Sequence, residues 1–294
     1  MHRISGALLA CALCATIARA ADTAPAVRHL PRPDHVVVVF EENRAYAHII
    51  GNMAAPYINT LANRGALFSR SFGVARPSQP NYLAFFSGST QNIVDNGCPH
   101  LFTSPNLASL LFAAGLTFAT YSEDLPETGF TGCSYLGYER KHNPAVNWQG
   151  LNVPSSANLP FSQFPAAFAR LPTISFVVPN QDNDMHEGTE PDTIIRGDQW
   201  LRAKLDAYVR WADTHNSLLI VTWDEDDYSA DNHVATIFVG PMVKQGIYAQ
   251  RVDHYTVLRA LLDLYGLSLL GRSAAAAPID YVWNPPAAKA GAAR

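Results

Sequence analysis

The stretch His35-Val36-Val37-Val38-Val39-Phe40-Glu41-Glu42-Asn43 joins six residues of unbroken β-branched and aromatic character to three polar ones. A strand with one face in water alternates apolar and polar side chains; this run does not, so it reads as a strand covered on both faces. Working outward, "SLLIVTW" (217–223) has the same character and also ends on acid, Asp224-Glu225-Asp226-Asp227. "ALFSRSFGV" (66–74), "LTFATY" (116–121), "TISFVVP" (173–179) and "HVATIFVG" (233–240) read as further strands. Between them lie helical patterns. "APYINTLANRG" carries Ile58, Leu61 and Ala62 on one stripe and stops at Gly65, and "SPNLASLLFAAG" starts at Ser104-Pro105 and closes on Gly115. "GDQWLRAKLDAYVRWAD" is amphipathic, and "DHYTVLRALLDLYGL" runs to Gly266. Strands alternating with helices from end to end predict an α/β fold, a doubly wound, mostly parallel central sheet flanked by helices.

Of the 294 residues 48% are hydrophobic and 16% charged, which suits one large domain with a sizeable core. The net charge of −4 argues against a nucleic-acid-binding face. Residues 1–22, "MHRISGALLACALCATIARAAD", combine a short positive start, an apolar run and a small-x-small site, so residues 1–20 read as a secretory signal. Cleavage before Cys11 as a lipoprotein is the alternative. The expected mature domain covers 21–285, with a disordered tail over 286–294. No later run is long and apolar enough to span a bilayer, so the expected location is secreted or periplasmic, without integral membrane contact. Cleavage after Ala20 removes Cys11 and Cys14. The remaining pair, Cys98 and Cys133, is expected to form one disulfide in an oxidising compartment; two buried thiols are the other reading.

Ligands of open α/β sheets bind at the carboxyl ends of the strands. There the sequence puts Glu42 and Asn43, Asp224 and Glu225, Asp184 and His186, and, in "RPSQPNYLAFFSG" (76–88), the hydroxyl of Ser78. Each alone fits an ordinary structural role: a strand-closing carboxylate, a surface histidine, a helix N-cap. Together they are what a metal-assisted nucleophile requires. A divalent cation held by Glu42, Asn43, Ser78, Asp224 and Glu225 would favour the Ser78 alkoxide. A helix starting at Ser78 would aim free N–H groups at an anion. Asn81 could donate to a phosphoryl oxygen, Arg76 and the Lys141-His142 pair could add positive charge, and His186, oriented by Asp184, could protonate a leaving alkoxide. Oxygen ligands favour Ca²⁺ or Mg²⁺, while nearby histidines keep Mn²⁺ and Zn²⁺ open.

The segments "VVVFEEN", "RPSQPNYLAFFSG", "YSEDLP", "RKHNP", "VPNQDNDMHEGT", "GDQWL", "LLIVTWDEDD", "NHVATIFVGP" and "HYTVLRALLDLYGL" together resemble the bacterial secreted acid phosphatase and phospholipase C phosphoesterase family, within the alkaline-phosphatase-like superfamily. The resemblance runs from about His35 to Leu267. It implies an alkaline-phosphatase-like fold, a phosphoseryl or phosphothreonyl intermediate, and a metal site built by the first and a late strand. By position it carries over to Glu42, Asn43, Ser78, Asn81, His142, Asp184, His186, Asp224 and Glu225; with few histidines near these ligands, one metal ion is expected rather than the two zincs of better-known superfamily members. Where many relatives follow "WDE" with histidine or glycine, this chain has Asp226, Asp227 and Tyr228; the role of His233 is open. The expected function is a phosphomonoesterase acting on small phosphate esters, phosphoinositides or nucleotides. A phospholipase C-type phosphodiesterase and a non-enzymatic metal-binding protein are the competing readings, and the oligomeric state leaves no trace in the sequence.

Overall fold

A computed structural model describes residues 30–285 together with His2. The expected signal segment and the expected C-terminal tail lie outside the described residues, apart from His2. The strands are β1 (His35–Glu41), β2 (Ala66–Phe68), β3 (Ser71–Phe72), β4 (Phe118–Ser122), β5 (Ser134–Tyr135), β6 (Tyr138–Glu139) and β7 (Asn158–Pro160). They continue as β8 (Ile174–Val178), β9 (Ser217–Trp223), β10 (His233–Val234), β11 (Thr236–Val239), β12 (Gly246–Tyr248) and β13 (Val252–Asp253). The α-helices are α1 (Tyr46–Ile49), α2 (Pro56–Arg64), α3 (Ser78–Ser87), α4 (Leu107–Ala113), α5 (Asp192–Ala212) and α6 (His254–Tyr265).

Eight strands form the main sheet in the order β12-β2-β11-β9-β1-β8-β4-β7. The expected mostly parallel sheet is present: β1 runs parallel to both β8 and β9, and β11 is antiparallel to β9 and β2. β1 is central, and its side chains alternate between two cores. Val36, Val38 and Phe40 pack with Leu83, Phe85 and Phe86 of α3 and with Leu258 and Leu261 of α6. Val37 and Val39 pack with Ile58 and Leu61 of α2 and with Leu201 and Leu205 of α5. Helices therefore cover both faces, which is why the strand sequence shows no polar alternation.

Two expected strands prove to be two each. "ALFSRSFGV" breaks at Ser69-Arg70, and "HVATIFVG" breaks at Ala235. In both cases the polar-flanked piece leaves the main sheet for a small three-stranded one, β10-β3-β13. The helix over 107–113 is capped not at Ser104 but at Asn106, whose side chain accepts from the Ser109 backbone while Ser109 Oγ returns the bond. Ser104 instead accepts from Trp148 Nε1 and donates to Gln91. Helix α5 begins at Asp192, five residues before the expected Gly197.

Cys98 and Cys133 are bonded, with 35 residues of separation. The bridge ties the loop after α3 to the segment before the β5-β6 hairpin. In the chain-entropy account a loop of this length adds about 3–4 kcal/mol. Replacing both cysteines by serine should lower the melting temperature by roughly 6–12 °C for a domain of this size. A scan of the double variant beside the oxidised protein checks this; an unchanged midpoint would mean the bridge constrains nothing.

Candidate active site

The parallel register of β1 against β9 runs from His35 opposite Ser217 to Glu41 opposite Trp223. The two acidic strand ends therefore leave the sheet at one level, and Asp224 N–H donates to Glu41 O at 3.2 Å. Side-chain alternation then sorts the carboxylates. Glu41 continues the face of Val37 and Val39, while Glu42 turns toward α3. On β9, Trp223 continues the face of Leu219 and Val221. The Asp184 carbonyl accepts from Glu42 N–H at 2.7 Å, which draws the loop after β8 to the same place. Asn43 has φ 46°, a left-handed conformation that asparagine tolerates better than most residues. Its N–H donates to Asp224 Oδ1 at 3.2 Å.

Ser78 lies between the two acidic ends. Its Oγ is 3.2 Å from Glu42 Oε2 and 3.1 Å from Glu225 Oε1, and the residue is 1% exposed. It is the first residue of α3, with Pro77 rather than Ser78 in the cap position. Its hydroxyl is thus not spent on capping its own helix. The expected cradle of N–H groups is narrower than the sequence suggests: Gln79 N–H donates to Asn96 Oδ1 at 2.9 Å and Pro80 has none. Ser78 N–H remains as the donor of the first turn proper.

Four side chains have contacts other than those their expected roles would use. The Asn81 amide faces the preceding turn, accepting from Val74 and Ala75 N–H and donating to Ala75 O, all at 2.9 Å. It positions the Ser78 segment rather than meeting a substrate. Asp184 does not orient the His186 ring: its Oδ1 accepts from the His186 backbone N–H at 2.8 Å, and the His186 Nδ1 lies 3.1 Å from Glu187. The ring that Asp184 faces belongs to His142, with Oδ2 3.5 Å from Nδ1. Nor is His142 a source of positive charge. It is 1% exposed, and burial holds it below the ordinary histidine value. Gln181 Nε2 donates to its Nδ1 at 3.3 Å, leaving the ring proton on Nε2, 3.1 Å from Glu42 Oε1. Arg76 is likewise committed, pairing with the buried Asp226 and donating to Ala230 O at 3.0 Å.

Several contributors carry little sequence signal. Tyr82, one helical turn after Ser78, hydrogen-bonds Glu42 Oε1 through its hydroxyl, and that i,i+4 spacing was the one legible hint. Asp226 sits in the acidic run yet anchors the loop, accepting from Tyr228, Ala230 and Asn232 N–H at 3.0 Å each. His254 Nε2 donates to Asp224 O at 2.6 Å from the first turn of α6. His233 stacks on Tyr46 and Phe72 at 4.6 and 5.1 Å between ring centroids, with Nε2 on Ser69 O: a packing role.

Electrostatically the site is a crowd of buried carboxylates. Burial, then Glu42 and Glu225, raises Asp224 well above the usual range, and burial with Glu42 pushes Glu225 up to about 7. Burial opposes the ionisation of Glu42 as well, yet His142 and Tyr82 outweigh it, so Glu42 is held below the usual carboxylate range. Buried oxygens without any hydrogen-bond partner include Asn43 Oδ1, Asp224 Oδ2 and Glu225 Oε2. Unpartnered buried oxygens on two neighbouring strand ends fit, by chemical type, the donor set of a hard divalent cation.

The described residues bring together a different set, His48, Glu190 and Asp227, as the three His, Cys, Asp or Glu side chains whose ligand atoms lie within 4.8 Å of one another. His48 Nδ1 is 3.0 Å from Glu190 and 2.9 Å from Asp227, and Arg44 Nε is 3.4 Å from Glu190. These groups already contact one another and lie partly in solvent, while Glu42, Asp224 and Glu225 do not bring three ligand atoms within the same 4.8 Å.

A phosphoesterase family model matches residues 52–268. Over 284 residues the chain is 46% identical to the phosphatidylinositol-3-phosphatase of Mycobacterium tuberculosis, covering 96% of this chain and 93% of that one. It is 28% identical to an acid phosphatase of Aspergillus fumigatus across 72% of this chain, and spans 51% of that longer protein. A solved Vibrio parahaemolyticus protein of the alkaline phosphatase superfamily shares the fold, with TM-score 0.57, 14% identity, and coverage of 85% of this chain and 71% of its own. With its mostly parallel sheet and acidic strand ends, the chain belongs to the phosphoesterase family.

Proposed function

We propose that this phosphatase hydrolyses phosphate monoesters through a phosphoserine formed on Ser78, with phosphoinositide headgroup phosphates within its substrate range and export from the cytoplasm as its setting. The observation that carries the reading is the Ser78 hydroxyl held between Glu42 Oε2 and Glu225 Oε1, at strand ends where oxygens of Asn43, Asp224 and Glu225 have no hydrogen-bond partner. The lipid component of the substrate class is suggested by the Mycobacterium tuberculosis relative, whose name specifies a phosphatidylinositol 3-phosphate.

Glu42, Asn43, Asp224 and Glu225, with Ser78 Oγ, would hold one divalent cation. Such a cation supplies a Lewis acid that favours the serine alkoxide and offsets phosphoryl charge. The donors are all oxygens, and both ring nitrogens of His142 face other partners, which favours Mg²⁺, Mn²⁺ or Ca²⁺ over Zn²⁺. Glu225 or Glu42 takes the Ser78 proton as the Oγ–P bond forms and the ester P–O bond breaks. The carboxylic acid so formed returns that proton to the departing alkoxide; water then attacks phosphorus, the Oγ–P bond breaks, one water proton goes to Ser78 Oγ, and hydrogen phosphate leaves. Ser78 N–H, at the positive end of a ten-residue helix, is placed to stabilise phosphoryl oxygens. Tyr82 and His142 hold Glu42 in position, and Asn81 holds the turn that presents Ser78.

Ser78→Ala should lower turnover of p-nitrophenyl phosphate by at least about a thousandfold while circular dichroism stays native, since it removes the nucleophile and only a small side chain. Acid quenching during turnover of a ³²P-labelled monoester should leave label on the wild-type protein and none on the variant. Label on the variant would move the nucleophile elsewhere.

Chelation should abolish turnover, and Mg²⁺, Mn²⁺ or Ca²⁺ should restore it. Calorimetric titration should show one site per chain, with affinity at least tenfold weaker in Asp224→Asn. Full activity in chelator would refute the metal assignment. Across monoesters, phosphoinositides and phosphatidylcholine, monoester turnover should lead; headgroup release from phosphatidylcholine at a matching rate would favour the phosphodiesterase reading.

A further inference from the structure

Two loop tips beside the site expose bulky side chains in a conformation such residues avoid. Leu136, in the two-residue turn between β5 and β6, has φ 49° and is 79% exposed. Tyr228, in the loop after β9, has φ 64° and is 70% exposed. Glycine or asparagine would occupy either position at less strain, so folding gives no reason for leucine or tyrosine there. Strained residues of this kind cluster at sites of function.

Their placement is set by the sheet. β9 lies on one side of β1, and β8 then β4 on the other. The loops after β9 and after β4 therefore flank the end of β1, where Glu42 and Ser78 meet, and the two strands are about 14 Å apart at strand spacing. Both tips are braced against the site. Gln181 N–H donates to Gly137 O at 2.9 Å, and the same residue's side chain donates to His142. The hairpin begins one residue after the disulfide at Cys133. On the other side, Tyr228 N–H donates to Asp226, and the Arg76 guanidinium lies 4.9 Å from the Tyr228 ring, two residues before Ser78.

We infer that Leu136 and Tyr228 form an apolar rim that inserts into the surface of a phospholipid bilayer and brings the Ser78 site to a phosphate borne on a lipid headgroup. The inference rests on the reading that phosphoinositides are substrates. A phosphate carried at a bilayer surface reaches a buried hydroxyl only if the rim around that hydroxyl enters the interface. Braced tips with exposed leucine and tyrosine are chemically suited to that contact, because aliphatic side chains gain by leaving water and tyrosine favours the headgroup level. The domain's net negative charge makes apolar insertion, rather than attraction to anionic lipid, the expected driving force.

The test uses the metal-activated protein and the double variant L136N/Y228N, in which asparagine accepts the left-handed backbone and folding is not put at risk. Three substrates are compared: p-nitrophenyl phosphate, a short-chain soluble phosphatidylinositol 3-phosphate, and the long-chain lipid in phosphatidylcholine vesicles. The variant should match wild type within about twofold on both soluble substrates. On vesicles its kcat/KM should fall at least tenfold, through KM, and its cosedimentation with plain phosphatidylcholine vesicles should fall likewise. Equal rates on vesicles, or equal losses on the soluble lipid and vesicles, would overturn the proposal; the latter pattern would mark the rim as a headgroup or protein contact instead. If wild type cleaves p-nitrophenyl phosphate but neither lipid form, the substrate reading fails, and the plain-vesicle cosedimentation still decides the rim: a tenfold difference supports it and none refutes it.

Discussion

The parallel register of β1 and β9, ending on the pair Glu41 and Trp223, is the constraint on which the site depends. With that register both chains leave the sheet together, and the Asp224 N–H closes onto Glu41 O. Shifting β9 by one residue would send Asp224 to the α5 face and Trp223 into the space that Ser78 occupies. Burial supports the register at the strand ends: Val36 to Phe40 and Leu218 to Val221 are at most 1% exposed, and a slip would carry a polar end of either strand into that apolar layer. Packing of the two cores thus helps decide where carboxylates meet.

That geometry is costly. Glu41, Glu42, Asp184, Asp224 and Glu225 are all at most 2% exposed, and an unpaired buried carboxylate loses several kcal/mol of hydration. The fold answers in different ways. Glu42 accepts from Ser78 and Tyr82, has the His142 Nε2 at 3.1 Å, and remains the ionised member of the group. Glu41 has neither oxygen hydrogen-bonded and is driven well above its ordinary value by burial and by Asp184, so it is carried as a neutral acid. Asp224 and Glu225 stand between these extremes, each with one oxygen engaged and one orphaned. A chain built only for stability would place apolar residues at such positions, so their retention marks the strand ends as functional.

What the sequence made legible follows the range of the forces involved. Buried strands and capped helices are local patterns, and β1, β8, β9, α2 and α6 appear where the pattern puts them. The convergence of Glu42, Asp224, Glu225 and Ser78 was readable because strand ends in a parallel sheet share an edge. Partner choice within that edge was not readable. Whether Asp184 serves the ring of His186 or of His142, and whether Asn81 meets a ligand or its own preceding turn, depends on side-chain directions that no periodicity encodes. The splitting of "HVATIFVG" had a similar cause: Ala235 lets the strand change sheets, and a run of apolar residues looks the same on either side of that corner.

The loop that presents Ser78 shows how far the support for one hydroxyl extends. Asn81 ties Val74 and Ala75 from within α3, and Asn232 Nδ2 binds Ala75 O from the loop after β9. Gly73 sits where a Cβ would come within 2.6 Å of Asn232 Nδ2 and 2.7 Å of the Asp224 carbonyl, so a side chain there would separate the two loops. That same carbonyl receives His254 from α6. The distance from Ser78 to Glu225 is therefore set by a closed circuit, from α3 through the 73–76 turn to Asn232, Asp226 and back. The amides of Gly73, Val74 and Ala75 in this circuit are committed to the chain itself. Such an arrangement holds the Ser78 segment in place and leaves the Ser78 N–H and hydroxyl and the orphaned oxygens of Asn43, Asp224 and Glu225 with bonding capacity.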